Sequence, residues 1–178
     1  MSADPTRRAV LAATAALPLL VAGCRGTQAL GTPPQPSAAV RRLRAAIAAE
    51  LDMVTSYQSV IARLADGRAD AGHGLAARAT LAGLLDEHQE HLRLLRSRLI
   101  PGSPQAAGSR PLAAPSPGPV PAAPAQAISY LSRAEQAASD RLLGDVLLVP
   151  PSLAQLLASI SASEATHVPV LAATGVTR

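Results

Sequence analysis

The stretch from Leu81 to Leu95 constrains this chain more than any other. Apolar residues recur three and four apart, so it reads as a helix. On a heptad, Leu81, Leu84, His88, His91 and Leu95 share one seam. Two imidazoles therefore stand where leucines should be. A polar pair on a core seam is destabilising unless other groups satisfy it. Whatever fold the chain adopts must bring partners to His88 and His91.

Composition narrows the choice of fold. The chain has 178 residues, of which 48% are hydrophobic, but only two are Tyr and none is Phe or Trp. A core built from Leu, Ile, Val and Ala suits packed helices. All 16 basic residues are Arg, and the net charge is only +4. No basic run carries interleaved aromatics, so nucleic acid is not an expected partner. No glycine-rich loop follows a strand-like run, and no nucleophile–base motif appears. The single cysteine, Cys24, cannot close an internal disulfide.

Residues 1–23 read as an export signal. Arg7 and Arg8 precede a short apolar stretch from Ala9 to Leu20, and Val21-Ala22-Gly23-Cys24 closes it. The ending resembles a bacterial lipobox, and the paired arginines resemble a twin-arginine signal. The resemblance implies cleavage before Cys24 and lipidation of that residue. It implies a protein held on the outer face of the cytoplasmic membrane, in the cell envelope. Residues 24–37, with two glycines and three prolines, read as a flexible tether. The folded domain is expected over 38–178.

Four helices are expected there. The first, roughly 38–65, carries one row of Val40, Ile47, Val54 and Ile61 and a companion row of Leu43, Glu50, Tyr57 and Leu64. The second runs roughly 75–99 after a short glycine-bearing connection. Residues 101–124 hold eight prolines and cannot be helical, so they form a long connector. The third helix, roughly 125–149, has Ile128, Leu131, Glu135, Ala138 and Leu142 on its seam. Ser152 and Gln155 match a capping box for the fourth helix. Its apolar face is Leu153, Leu157, Ile160, Glu164, His167 and Leu171, and Pro169 is expected to kink or end it. The halves resemble each other weakly: Glu50 matches Glu135, His91 matches His167, and His88 stands where Glu164 stands.

Every helix thus turns titratable groups inward: Glu50; His88 and His91; Glu135; Glu164 and His167. Three carboxylates and three imidazoles on otherwise apolar seams should meet in one polar layer. Asp86, Glu87 and Glu90 with Arg93 read instead as an exposed, salt-bridged face.

This pattern resembles the ferritin-like superfamily. The resemblance implies an all-α, antiparallel four-helix bundle with a long connection between helices 2 and 3. In that superfamily a di-metal centre takes one Glu from each of two helices and Glu-x-x-His from each of the other two. Glu164-Ala165-Thr166-His167 matches one such motif, and Glu50 and Glu135 match the single glutamates. His88-Gln89-Glu90-His91 stands at the other, with His88 replacing the bridging glutamate. Tyr57 matches an inward tyrosine behind the ligands. A lipid-anchored chain of this kind is similar to ferritin-like lipoproteins of undefined function in GC-rich bacteria.

Losing a bridge removes charge and reach from a di-metal site. Glu87 lies about 100° from His88 around the helix. Neither Glu87 nor Glu90 replaces the bridge without local distortion of the helix. Three readings follow from the residues: a di-iron or similar oxidoreductase reducing peroxide or oxygen, a single passive Zn or Mn, or a metal-free hydrogen-bonded layer in a non-catalytic envelope protein. The metal-free reading is favoured. The membrane, through lipid at Cys24, is the expected partner, and a homodimer is compatible with the sequence.

Overall fold

The computed structural model describes residues 36–66, 71–100, 112 and 114–175. The export signal, Cys24, nearly all of the tether, the connection at 67–70 and most of the connector's first half lie outside these residues. The described helices belong to one unit, Gln35–Arg178. Four helices and no strand are found among them: α1 Ala38–Asp66, α2 Ala71–Arg98, α3 Pro124–Val146 and α4 Pro151–Gly175. The all-α expectation holds.

The heptad rows map onto burial. Leu43, Glu50, Tyr57 and Leu64 are all buried on α1, as are the seams read on α2, α3 and α4. The other α1 row holds only in its first half, because Val54 and Ile61 are half-buried. α1 packs on both α2 and α3, and its buried stripe widens accordingly to take in Met53, Ser56 and Val60. α4 packs on α3 and α2.

Two apolar clusters flank the polar layer. One joins Tyr57 and Leu64 of α1 with Leu81 and Leu84 of α2, Ile128 and Leu131 of α3 and Leu171 of α4. The other joins Leu43 and Ile47 with Leu92 and Leu95, Leu142, and Leu153 and Leu157. Each fully buried Leu or Ile contributes about 1.5–3 kcal/mol, so these layers hold the helices around the groups between them. Between α3 and α4 the backbones approach at small residues. Ser139 Oγ donates to the Ser161 carbonyl at 2.8 Å and Ser161 Oγ to the Ser139 carbonyl at 2.9 Å. The described part of the connector lies along α1. The Ser116 amide donates to Asp52 at 2.7 Å, and Arg63 donates to the Val120 and Pro121 carbonyls at 2.7 and 2.8 Å.

Several element ends differ from the sequence reading. α2 begins one turn earlier, at Ala71 rather than near residue 75. α3 stops at Val146 instead of 149, and Leu147 to Val149 form a turn. α4 is not capped by Ser152. Pro151 occupies its first turn, and the Pro150 carbonyl accepts from the amides of Leu153 and Ala154 at 2.9 Å each. Proline suits that position because its fixed φ is helical and its missing N–H would have no partner there. Pro169 neither ends α4 nor defines its limit, since the helix continues to Gly175. Ala165 and Pro169 are both exposed, so water can serve the carbonyl that the missing N–H leaves unpaired. By length and composition α4 could cross a membrane, a test that core helices also pass; here its buried face includes Glu164 and His167.

Candidate functional site

All six inward residues meet in one layer. Glu50, His88, His91, Glu135, Glu164 and His167 are each at least 92% buried, and Tyr57 is wholly buried beside them. Helical periodicity puts each on the inner face of its helix, and the two apolar clusters close the layer above and below.

His88 is the hub. Its Nδ1 lies 2.8 Å from Glu50 Oε2 and its Nε2 lies 2.8 Å from Glu135 Oε1. Both carboxyls are held ionised. Burial pushes Glu50 up, but the His88 hydrogen bond and the nearby His91 ring outweigh it and keep the group below its usual range. Glu135 is likewise raised by burial, yet His167 and His88 pull it down to about 2. A carboxylate can only accept, so both ring nitrogens of His88 must donate, and the ring is an imidazolium. Burial opposes that charge, but Glu135 and Glu50 raise the His88 pKa to about 10.

Three donors crowd Glu135 Oε1. Tyr57 Oη donates to it, His88 Nε2 donates to it, and His167 Nδ1 approaches to 3.2 Å without hydrogen-bond geometry. His91 Nδ1 stands in the same relation to Glu50 Oε1 at 3.3 Å. The two outer imidazoles are nearly parallel, 9° apart in plane, with centroids 6.5 Å apart. Each is paired through Nδ1 with the single glutamate of its own half, so the weak internal repeat has a geometric counterpart. Burial, reinforced by the Glu135 charge and hydrogen bond, raises the Tyr57 pKa and keeps its hydroxyl protonated.

Glu164 differs from the other two acids. Burial raises its pKa, and the charges on Glu50 and Glu135 add to the effect, bringing it to about 8. At neutral pH its carboxyl is mostly protonated.

One partner was missed in the sequence. Glu87 is half exposed, as a residue of the outer face should be, yet its Oε2 reaches His167 Nε2 at 3.0 Å and accepts from Ser163 Oγ at 3.1 Å. Burial lowers the His167 pKa, but Glu135 and Glu87 raise it overall. The His167 hydrogen bond lowers that of Glu87. Helical rotation alone directs Glu87 away from His88, but α4 passes on that side and supplies His167. The signal for it was Ser163, four residues before His167 and matching Glu87 four before His91. Glu90 behaves as read, paired with Arg93 on the exposed face at 2.7 and 2.5 Å.

Two overlapping sets could hold a cation. Glu50, His88, His91 and Glu164 offer donor atoms within 4.8 Å of one another, and so do His88, Glu135 and His167. Buried atoms without a hydrogen-bond partner fall in both sets: Glu50 Oε1, His91 Nδ1 and Glu164 Oε2 in one, Glu135 Oε2 and His167 Nδ1 in the other. Mixed oxygen and nitrogen donors of this kind fit Zn, Mn or Fe. His88 belongs to both sets and can ligate only after losing a proton.

No protein-family model, curated protein or solved structure matches this chain.

Proposed function

We propose that this chain is a ferritin-like, lipid-anchored cell-envelope protein with a non-catalytic role, whose central layer is closed by an imidazolium instead of a metal. The helices are read as an antiparallel bundle. Cluster membership supports this, since the early residues of α1 and α4 share one cluster with the late residues of α2 and α3. Cys24 is read as the lipidated residue and the outer face of the cytoplasmic membrane as the location. The observation that carries the metal-free layer is His88, bonded at 2.8 Å to carboxylates from two different helices. His88 stands where the superfamily pattern has a bridging carboxylate. It adds one positive charge between two acids, a balance that metal ions otherwise supply. With Glu164 protonated, the imidazolium leaves one net negative charge among Glu50, His88 and Glu135 in place of two.

A second reading is favoured by the orphaned atoms. Glu50, His91 and Glu164 would hold one divalent ion, and Glu135 and His167 a second, with His88 in reach of both. A redox-active metal there would supply the electrons for peroxide or oxygen reduction, which makes this the oxidoreductase alternative. In that state His88 is neutral, and Tyr57 keeps Glu135 oriented through its hydroxyl.

Metal analysis of protein produced with iron, manganese and zinc separates the two. The parent is expected to hold well below one metal per chain. His88→Glu restores a second Glu-x-x-His and is expected to bind about two. Two metals in the parent, lost on replacing Glu50 and His167 by Ala, would establish the oxidoreductase reading instead.

A further inference from the structure

Large apolar side chains are exposed unevenly. Leu143, Leu147, Leu148 and Ile100 are 61, 92, 54 and 66% exposed. All four lie at the end where α1 and α4 begin and α2 and α3 finish. A surface cleft of about 500 Å³ opens there, lined in part by Val40, Leu43, Leu99, Ile100, Pro150 and Leu153. At the other end Leu75 and Val170 stand apart on different helices.

Arginines outnumber acids at this end, where Asp145 and Glu90 are the nearby carboxylates. α1 brings Arg41, Arg42 and Arg44, and α2 brings Arg93, Arg96 and Arg98. Arg42 is paired with Asp145 and Arg93 with Glu90. Arg41 donates to the Pro36 carbonyl at 2.5 Å, which leaves its charge uncompensated, and Arg96 and Arg98 are exposed on the last turn of α2. Exposed leucines rimmed by arginines are the composition of a surface that lies in a lipid interface. The described chain also starts here. Pro36 is twelve residues after Cys24, a span of about 43 Å at full extension.

We propose that this end of the helical unit docks on a membrane bearing anionic headgroups. Leu143, Leu147, Leu148 and Ile100 enter the interface, and Arg41, Arg96 and Arg98 meet the phosphates. The proposal deepens the lipid-anchor reading by giving the anchored domain an orientation: α1 and α4 point away from the bilayer along their chain direction, and the Glu/His layer is held at a fixed height. The patch must work without the anchor, however, so the two can fail separately.

The test uses the full chain with Cys24→Ser, which cannot be acylated, sedimented with vesicles of phosphatidylcholine alone or with roughly 30% phosphatidylglycerol. The N-terminal apolar stretch is common to every variant, so differences report the patch. Anionic lipid is expected to raise partitioning about tenfold, and the gain should shrink with salt. Leu147→Asp with Leu148→Asp should lose about tenfold or more on anionic vesicles. Arg96→Glu with Arg98→Glu should remove the anionic gain and leave binding to neutral vesicles unchanged. Leu75→Asp should match the parent. Equal binding of parent and Leu147/Leu148 variant, or no dependence on anionic lipid, overturns the proposal. So does a concentration-dependent dimer that the leucine variant dissociates while vesicle binding persists, since the patch would then cover a second copy. The anchor is read independently, from the mass of the exported chain with Cys24 intact.

Discussion

The two halves of the buried layer occupy equivalent positions with opposite chemistry. α2 supplies His88 and His91, while α4 supplies Glu164 and His167, at the same three-residue spacing. His91 and His167 are related closely, each facing its own glutamate through Nδ1 at 3.3 and 3.2 Å with parallel rings. His88 and Glu164 are not. His88 is a charged donor between two acids, and Glu164 is an acid kept protonated by its burial and by the charges of those same two acids. The base at one position satisfies Glu50 and Glu135, while the acid opposite stays protonated chiefly because it is buried and its Oε2 has no hydrogen-bond partner.

Replacing the base is the strongest way to break this asymmetry. His88→Leu fills similar space but removes the imidazolium between Glu50 and Glu135, leaving only the outer rings of His91 and His167 beside them. Removing one partner of a buried ion pair costs about 3–5 kcal/mol, and a loss in that range is expected in urea unfolding at pH 6. A loss under about 1 kcal/mol would mean that water already reaches both carboxylates.

Glu164→Gln should act in the opposite sense, and pH reveals it. The Glu164 pKa is raised on folding, so its contribution is complete below the ordinary value of 4.5 and disappears as pH rises through about 8. His88 is raised as well, so its contribution is complete below 6.5 and lost as pH rises through about 10. Glu135 is lowered, and its contribution disappears as pH falls from 4.5 through about 2. The parent should be most stable near about pH 5 and weaken steadily above it. Glu164→Gln should match the parent at pH 4.5 and exceed it at pH 8, in thermal unfolding followed by circular dichroism. A parent curve that rises between pH 6 and 9 would contradict the protonation states assigned to both residues.

The smallest effect belongs to the outer partner of the other half. Glu87 is 53% exposed where it meets His167. Glu87→Gln should cost no more than about 1 kcal/mol, as solvent-screened pairs do. Its sharper readout is the His167 proton resonance, whose titration midpoint should fall. An unchanged midpoint would assign the raised His167 pKa to Glu135 alone.

How legible the protein was depends on the kind of question. Which residues turn inward was readable, because helical periodicity fixes the face from spacing alone. Leu81 to Leu95 and Leu153 to Leu171 came out as read, down to the polar positions. Element ends were read less well. The kink or stop expected at Pro169 and the cap expected at Ser152 rested on local rules, whereas α4 continues past Pro169 to Gly175 and the Pro150 carbonyl takes its first amides. The role of Glu87 was missed, because a residue on an outer face finds its partner on whichever helix passes by, and only the matching place of Ser163 hinted at it.

The chain's periodicity by itself determined that acids and imidazoles share the inner faces of four helices, since 3.6 residues per turn leaves spacing no other reading. Only the packing of those helices decided that His88 stands between two carboxylates while Glu164 faces them without a partner. The reason is that a proton's location depends on distances of about 3 Å between helices, and no single helix carries that information.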